Sequence, residues 1–541
     1  MCGIALVHSK REKIKHRLLS VANEELGIRG PTSCTHYLSN DVYMFQSILA
    51  IQSEPKDRGF AQLPHHYDVT LYNGEIYDAD ENEIIKDVNR DKRLASVDGM
   101  FSIVNVKCNG QWFDVNAYRD LIGEKRLYYY DSKNLFVIAS TPRFIFEVMR
   151  LYGETQEIDT VALQDYYVMR HGITNKTGIR GVEMLPPGSK LTYNKRGVKI
   201  EKLWSTRQYL RTDLTRELCK IDFDTYVSQL HELLSRTMRN MHQKVRPNID
   251  TFSVVSGGVD SSLVTYYAEN CGIDIVSALT LTFDGKDTIA QQAHHLFKHL
   301  ECRQWSENVD RELYYDAYLE SLRVCLEPIS SHDFASAYVL YGMTSPGSII
   351  YTGDCADEIF LGYKYYSNCI TSEYALPVRS DFKYQRLQEI EDDYEYAYHF
   401  FMDNKYTSRD AHAKAASFVD VTYQVPNSTL LSADLIGGAH GVEVRTPFIR
   451  KHMLEYGLNS PIHLTQNKKG LNELFAKSFN KRAPIKQGFS GHPNAMFMHL
   501  DNIDEAEIIF GTLTNKGHSM STDVEWKYIN TQHFINSIYH V

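Results

Sequence analysis

Hydrophobic and polar positions follow two different patterns along the chain. Up to about residue 205, short apolar runs alternate with turn residues, which is typical of an antiparallel β-rich domain. These runs lie at residues 41–51, 67–73, 101–108 and 135–140, and the turns include Arg29-Gly30-Pro31 and Pro186-Pro187-Gly188. The alternating run that ends near Trp204 predicts a closing hairpin. We therefore expect a layered β-rich domain over residues 1–205.

From about residue 206 the pattern changes to helices with a few short apolar strands. Residues 225–241 have helical spacing, and continuous apolar runs occur at 251–256, 274–283 and 347–353. Continuous apolar runs between helices are typical of buried parallel strands. After about residue 375 the pattern is mostly helical. The sequence thus predicts a doubly wound α/β domain with a helical C-terminal part over residues 206–541.

Composition narrows the class of protein. The chain has 541 residues, with 43% hydrophobic and 23% charged residues and a net charge of −10. The negative charge argues against a nucleic-acid partner. No apolar run approaches the roughly 18 residues of a membrane helix, and the start MCGIALVHSK lacks the basic region of a signal peptide. Nine cysteines without CxxC pairs favour a reducing compartment, and we expect a cytoplasmic location.

The first candidate chemical site is Cys2. Removal of Met1 would expose an α-amine with a pKa of roughly 7.7–8.0, which can act as the base for its own thiol. The run Cys2–Val7 predicts a first strand that holds this nucleophile at an edge. Taken alone, the start MCGI is also compatible with an ordinary buried cysteine.

Four further segments give Cys2 a context. Together with it, Arg29-Gly30-Pro31, YNGEIY (72–77), DGMF (98–101) and YRDLIGEKRLYYY (118–130) resemble the class II glutamine amidotransferase domain. The resemblance implies an N-terminal αββα glutaminase fold of the N-terminal-nucleophile (Ntn) hydrolase type. It implies an oxyanion hole at Asn73 and Gly74, although Asn-Gly is also typical of a hairpin turn. The glutamine-binding residues that it implies are Leu49, Asn73, Gly74, Glu75 and Glu81, with Asp80 as an alternative to Glu81.

One departure from this family concerns glutamine itself. The family's arginine for the α-carboxylate of glutamine is Ile48 here, and Arg58 is a candidate replacement. A charge-assisted clamp of this kind is worth about 1.5–3 kcal/mol. Weak glutamine binding is therefore an open alternative.

The second candidate site is the segment Ser256–Ser262, which follows an apolar strand and precedes a helix. Its glycines allow close backbone approach to an anion, and the helix start presents N–H groups to it. Asp260 can ligate magnesium on phosphates. The G-K-[ST] ending of a Walker A loop is absent.

SGGVDSS (256–262) instead resembles the PP-loop of ATP pyrophosphatases. Residues 352–363, 441–448 and 486–489 resemble motifs of asparagine synthetases. The resemblance implies magnesium ligands Asp260 and Asp357 and a catalytic Lys486, with Lys468 and Lys469 as further candidates. The implied ATP contacts are Val254, Val255, Ser256, Gly257, Gly258, Asp260, Ser261, Ser262, Thr280, Thr352 and Gly353. The implied acceptor site comprises Asp354, Glu358, Glu443 and Arg445.

This second resemblance also has departures. Cys355 stands where the family has glycine, and Arg450 stands where it has aspartate. An arginine expected after Asp434 is missing. A separate pair, His295 and His299, has the spacing of two metal ligands but lacks a third, so we interpret both as surface histidines.

The resemblance extends from Cys2 to about Pro493 and identifies the family of glutamine-hydrolysing asparagine synthetases. It implies a carbon–nitrogen ligase that uses ATP and magnesium to amidate aspartate through β-aspartyl-AMP, with ammonia from glutamine crossing an internal tunnel. Two alternatives stay open: another carboxylate acceptor, or a homologue that uses free ammonia or is regulatory. The expected partners are small-molecule substrates, with neither nucleic acid nor membrane, and a homodimer is left open.

Overall fold

Three β-sheets and the helices around them make up the fold. The computed structural model describes residues 1–52, 68–86, 91–108, 112–169, 171–172, 175–283, 296, 300–327, 331, 333–368, 388–484, 533–534 and 538. The strands of two antiparallel sheets lie within residues 3–202, and those of a parallel sheet lie within residues 251–445. This division follows the change of pattern in the sequence. The boundary at residues 205 and 206 stays a prediction.

The two antiparallel sheets stack face to face. Sheet 1 has the order β2-β3-β1-β8-β7-β9, and sheet 2 has the order β11-β10-β6-β5-β4. The strands are β1 (Gly3–Ser9), β2 (Ser33–Leu38), β3 (Val42–Ile48), β4 (Asp68–Ile76), β5 (Gly99–Cys108), β6 (Phe113–Arg119), β7 (Tyr128–Asp131), β8 (Leu135–Ala139), β9 (Val182–Met184), β10 (Ser189–Asn194) and β11 (Gly197–Lys202). The predicted closing hairpin is the antiparallel pair β10–β11.

Alternation along β1 explains the layering. Ile4 and Leu6 enter the core between the two sheets, whereas Ala5 and Val7 enter the core beneath the helices. Helices Leu18–Leu26 and Pro142–Tyr152 cover the outer face of sheet 1, and short helices cover sheet 2. The helices of this half are Leu18–Leu26, Glu81–Lys86, Asp91–Leu94, Pro142–Tyr152 and Thr160–Met169. The result is the αββα layering that the resemblance implied.

Two local expectations were wrong. β1 is not an edge strand, because it pairs with β3 on one side and β8 on the other, and Cys2 lies just before its first residue. Asn73-Gly74 is not a hairpin turn, since both residues lie inside β4 and pair with Ser102 and Phe101 of β5.

The third sheet is parallel, with the order β14-β13-β12-β15-β16. Its strands are β12 (Thr251–Val254), β13 (Ser277–Phe283), β14 (Arg303–Val309), β15 (Ile349–Tyr351) and β16 (Glu443–Arg445). The chain moves outward from β12 through β13 to β14, then returns to the other side of β12 as β15. A doubly wound sheet forms its ligand crevice at such a switch point, at the carboxyl ends of the strands.

Helices surround this parallel sheet and form the C-terminal part. Among the described residues, no helix is long and apolar enough to cross a membrane. The helices are Thr212–Leu218, Phe223–His242, Val259–Asn270, Arg311–Cys325, Asp333–Gly342, Ala356–Ile359, Lys364–Asn368, Gln388–Asp403, Ser408–Val419, Val425–Asn427, Thr429–Leu431, Gly437–Ala439, Lys451–Asn459, Ile462–Thr465 and Lys469–Phe479.

Candidate functional site

Cys2 and Asn73 meet where the two antiparallel sheets face each other. The backbone N–H of Cys2 donates to Asn73 Oδ1 at 2.8 Å, and the next N–H, of Gly3, donates to Ser47 Oγ at 3.0 Å. Cys2 and Asn73 are both buried. Asn73 Nδ2 has no hydrogen-bond partner among the residues that the structure describes. The Asn73 side chain therefore holds the Cys2 backbone through its amide oxygen. Its buried amide N–H has no partner among the described residues.

Gly74 is required by the packing of β4 on β5. Its φ is +137°, and a Cβ at this position would lie 2.0 Å from the carbonyl oxygen of Met100. Any side chain would push β4 away from β5 and would move Asn73 with it. The glycine therefore fixes the position of the amide beside Cys2.

Met1 occupies the interface between the two halves. Its amine forms an ion pair of 2.7 Å with Glu443 Oε2, the first residue of β16. Burial lowers the pKa of this amine, and Glu443 partly offsets the effect. Although burial opposes it, Lys125 and the Met1 amine together hold the pKa of Glu443 well below its usual range. The removal of Met1 stays a prediction.

The predicted glutamine-binding residues have different surroundings. Leu49 is buried directly after β3, and Glu75 Oε2 forms a buried ion pair of 2.5 Å with Arg445 Nη2. Glu81 is partly buried at the start of helix Glu81–Lys86. Ile48, in the place of the family arginine, is buried within β3. Their role in glutamine binding stays a prediction.

Two cationic side chains of the second half contact loops of the first half, and sequence reasoning missed both. Arg246 Nη1 donates to the carbonyl of Ala50 at 3.0 Å. Lys244 Nζ donates to the carbonyls of Ile76 and Ala79 at 3.1 and 2.6 Å. These bonds are to backbone atoms, so no motif in the sequence signals them.

The PP-loop segment joins β12 to helix Val259–Asn270 at the switch point of the sheet. Gly257 has a φ of +77°, and Gly258 caps the helix. Ser256 Oγ lies 3.1 Å from Ser261 Oγ, and Ser262 Oγ donates to the carbonyl of Gly258 at 2.6 Å. The loop thus presents a helix N-terminus with clustered hydroxyls, an arrangement that suits phosphate oxygens.

The other predicted ATP contacts surround this loop. Val254 ends β12, and Thr280 Oγ1 donates to the carbonyl of Val255 at 2.8 Å. The loop after β15 packs directly on the helix start, since a Cβ at Gly353 would lie 2.5 Å from the backbone N of Ser261. Thr352 precedes this contact and is buried. The structure therefore brings the two predicted nucleotide segments together.

Asp260 and Asp357 lie on either side of one lysine. Lys468 Nζ is 2.7 Å from Asp357 Oδ1 and also contacts Asp260 Oδ2. Although burial opposes it, the two carboxylates raise the pKa of Lys468. Lys468 adopts a left-handed backbone with φ +59°, and its N–H bonds to the carbonyl of Phe360 at 3.1 Å. Two carboxylates that share one cation fit a magnesium ion held largely by substrate phosphates.

The predicted acceptor residues Asp354 and Glu358 are buried carboxyl groups. Burial raises the pKa of Asp354 to about 6 and that of Glu358 to about 8, with Asp357 adding to the second shift. Tyr363 donates to Glu358 Oε1 at 3.0 Å. Cys355, between Asp354 and the next helix, has a left-handed φ of +69°, a conformation that costs a non-glycine residue free energy.

Glu443 and Arg445, also predicted at the acceptor, point instead to the N-terminal half, where they pair with the Met1 amine and Glu75. Their acceptor role stays a prediction.

Further buried ion pairs join the halves. Lys125 lies 3.4 Å from Glu443, Arg29 lies 2.8 Å from Asp434, and Arg450 contacts Glu124. Arg450 is a departure that the sequence signalled, and Asp434 precedes the missing arginine, whereas the pairing of Glu124 and Lys125 was missed.

Some candidates lie outside the described residues. These are the predicted catalytic Lys486, the candidate clamp Arg58 and the histidines His295 and His299. Among the residues that are described, no group of three or more His, Cys, Asp or Glu side chains could hold a metal ion.

Comparison with known families matches both halves. The family model of asparagine synthase matches residues 229–486, and that of a glutamine amidotransferase domain matches residues 88–204. These matches cover the parallel sheet with the PP-loop and much of the β-rich layers. The chain therefore carries regions similar to an asparagine synthase domain and to a glutamine amidotransferase domain, the combination that the sequence resemblance predicted.

Curated relatives are distant. The putative asparagine synthetase [glutamine-hydrolyzing] 1 of Methanocaldococcus jannaschii is 21% identical over 399 residues, which cover 72% of this chain and 61% of the relative. The asparagine synthetase [glutamine-hydrolyzing] 3 of Bacillus subtilis is 21% identical over 384 residues, which cover 64% of this chain and 59% of the relative. The matches thus span about three fifths of the length of these relatives.

Two solved structures share little with the chain as a whole. The allosteric regulatory enzyme of purine biosynthesis is 10% identical, with a TM-score of 0.27, over 57% of this chain and 80% of that one. The glutamine phosphoribosylpyrophosphate amidotransferase of B. subtilis is 11% identical, with the same TM-score, over 57% of this chain and 81% of that one.

Proposed function

We propose that the chain is a glutamine-hydrolysing asparagine synthase. It converts aspartate, glutamine and ATP to asparagine, glutamate, AMP and pyrophosphate. The observation that carries the proposal is the hydrogen bond from the Cys2 backbone N–H to Asn73 Oδ1. This bond holds Asn73 beside the predicted nucleophile, and the buried Asn73 Nδ2 has no partner among the described residues. The match of residues 229–486 to the asparagine synthase model supports the second half of the reaction.

In the glutaminase half, the Cys2 thiolate adds to the side-chain carbonyl of glutamine after Met1 has been removed. The Cys2 amine takes the thiol proton and returns it to the departing ammonia. Asn73 Nδ2 and the Gly74 N–H stabilise the oxyanion of the tetrahedral intermediate, an effect that depends on donors placed in advance. Water then hydrolyses the thioester to glutamate.

In the second half, the acceptor carboxylate attacks the α-phosphorus of ATP and pyrophosphate leaves. The hydroxyls and helix N-terminus of the PP-loop bind the phosphates, and Asp260 and Asp357 would hold the magnesium, which neutralises phosphate charge. Lys468 and Lys486 are the candidate cations for charge at the reacting phosphorus. Ammonia from the Cys2 site attacks the acyl-adenylate, and AMP leaves.

A second candidate function keeps both reactions but changes the acceptor. Asp354 and Glu358 surround the predicted acceptor site with buried carboxyl groups. With a pKa of about 6, Asp354 is largely ionised at neutral pH and disfavours a second carboxylate beside it, whereas Glu358, with a pKa of about 8, is largely neutral and can donate a hydrogen bond. The charge of Asp354 favours an acceptor with a single carboxylate and a nearby cationic group.

A donor-swap assay tests the proposal. Asparagine and AMP are measured with glutamine or ammonium chloride as donor, in the wild type and in Cys2→Ala. We expect the wild type to use both donors and Cys2→Ala to use ammonia alone. Wild-type synthesis from ammonia but not glutamine would favour the alternative of a free-ammonia enzyme. AMP formation with another carboxylic acid, but not aspartate, would favour the second acceptor.

A further inference from the structure

Arg445 connects the two predicted sites through its side chain and its backbone. Its Nη2 pairs with Glu75 Oε2 at 2.5 Å in the glutaminase half. Its carbonyl accepts a hydrogen bond of 3.0 Å from the N–H of Thr352, in the predicted nucleotide loop. One residue of β16 therefore contacts strand β4 at one site and the loop after β15 at the other.

The contacts continue from the nucleotide loop to the PP-loop. Thr352 is followed by Gly353, which packs against the start of helix Val259–Asn270 so closely that a Cβ would lie 2.5 Å from Ser261 N. A nucleotide that moves this helix start must therefore move the loop with it. Since Thr352 is bonded to Arg445, the displacement reaches β16.

On the glutaminase side, Glu75 is rigidly joined to the oxyanion residue. Glu75 and Asn73 belong to the same strand, β4, where they pair with Met100 and Ser102 of β5. Alternate residues of a strand lie on the same face. A force on Glu75 is therefore transmitted to Asn73 and to its bond with the Cys2 backbone.

Burial makes the Arg445–Glu75 pair sensitive to small movements. Arg445 and Glu75 are 0% and 2% exposed, and Arg445 also donates to the carbonyl of Met241 and to Tyr351 Oη, the latter at 3.3 Å. Separating a buried ion pair leaves charges that water cannot solvate. Strand β4 and the loop after β15 are thus constrained to move together.

We propose that Arg445 and Glu75 form a coupling pair, through which occupancy of the nucleotide loop sets the position of the Asn73–Gly74 segment and so the rate of glutamine hydrolysis. Arg445 acts here as a positioning residue, since its effect passes through Glu75. The inference rests on the proposed function, because it needs a nucleotide at the PP-loop and glutamine at Cys2.

A second ion pair provides a matched control. Arg450 and Glu124 are also buried and also join the two halves. Arg450 lies after β16, and its backbone N–H bonds to Pro447 at 3.2 Å. Loss of this pair weakens the same interface without removing the path from Thr352 to Glu75.

Hydrogen exchange of β4, with and without the magnesium complex of α,β-methylene-ATP, tests the coupling. We expect this nucleotide to change exchange at residues 73–75 by about fivefold or more, the lower end of usual coupling strengths, in the wild type and in Arg450→Met. Calorimetry should show that Arg445→Met and Glu75→Gln still bind the nucleotide, but the nucleotide should not change hydrogen exchange of β4 in either variant. Arg445→Lys should restore part of this change in exchange. The nucleotide dependence of kcat for glutamine hydrolysis should follow the same order.

The outcomes separate this inference from the proposed function. An unaltered response in Arg445→Met or Glu75→Gln would overturn the coupling pair. Loss of the response in Arg450→Met as well would assign the effect to the interface in general. Binding without any response in the wild type would overturn the coupling alone. Failure of the wild type to bind the nucleotide would overturn the proposed function and the coupling with it.

Discussion

Lys468 Nζ lies 2.7 Å from Asp357 Oδ1 and also contacts Asp260, so one lysine forms ion pairs with both predicted magnesium ligands. Gly362 makes this possible, because a Cβ there would lie 2.0 Å from Asp357 Oδ1 and 2.2 Å from Lys468 Cε. Lys468 and a magnesium ion are both cations that can pair with the two carboxylates. We therefore expect the lysine and the magnesium ion to compete for Asp260 and Asp357 or to share them.

Replacement of Lys468 should make the fold depend on magnesium. Lys468→Met leaves two close carboxylates without their cation, and breaking a buried pair costs about 3–5 kcal/mol. We expect a lower free energy of unfolding without magnesium and a larger rise in Tm with magnesium than in the wild type, measured by calorimetry. Lys469→Met is the control, since Lys469 is exposed, donates to the carbonyl of His463 at 3.3 Å and lies 4.6 Å from the ring centre of Phe223. A Lys468→Met protein with wild-type Tm would contradict the expectation.

Gly353→Ala should impair ATP-dependent chemistry. The added Cβ would lie 2.5 Å from Ser261 N, so one of the two nucleotide loops must shift. A misplacement of about 1 Å can lower a rate about 10²-fold. Pyrophosphate release measures the loss, and circular dichroism checks the fold. Gly27→Ala is the matched control, because a Cβ there meets nothing within 4 Å; equal rates in the two variants would show that the contact is unimportant.

Asn73→Ala should abolish most glutamine hydrolysis. Removal of one oxyanion donor typically lowers kcat by about 10²–10³. We expect this loss in glutaminase assays, while synthesis from ammonia persists. Asn105→Ala serves as the control, since Asn105 is a buried asparagine of the neighbouring strand β5 that bonds to Thr70 instead. If ammonia-dependent synthesis fell equally in Asn73→Ala, Asn73 would be structural.

Lys414 should make stability depend on pH. Burial lowers its pKa from 10.5 to about 7, and its Nζ donates to the carbonyl of Gly457 at 2.9 Å. Between these two pKa values the unfolded chain binds the proton that the folded chain releases, so this group makes the folded state more stable as pH rises from 7 towards 10.5.

Lys414→Met should therefore raise Tm near pH 7 and lose the advantage towards pH 10. Scanning calorimetry across this range measures the difference between the two proteins. A constant difference in Tm at all pH values would contradict a buried lysine that titrates near neutrality.

The sequence predicted the architecture because its signals are local. Alternation along β10 and β11, and continuous apolar runs at β12, β13 and β15, predicted the sheets that the structure contains. The loop between β12 and helix Val259–Asn270 was predicted in the same way, since glycines and a helix start follow a buried strand.

Partners that are distant in sequence could not be predicted. Glu75 and Arg445 are 370 positions apart, and each carries a charge that is usually exposed. Their pairing depends on how the two halves dock, which no periodicity records. The same holds for the Met1 amine and Glu443, and for Lys468 between its two aspartates, where a left-handed turn directs the side chain.

The nitrogen of glutamine provides the most direct test of the central claim. Glutamine labelled with ¹⁵N at the side-chain amide is supplied with aspartate, MgATP and excess unlabelled ammonium, and the product amide is analysed by mass spectrometry. The account predicts an asparagine amide whose ¹⁵N fraction exceeds that of the bulk ammonium, together with equimolar AMP. An amide with the isotope composition of the bulk ammonium, or no asparagine at all, would contradict it.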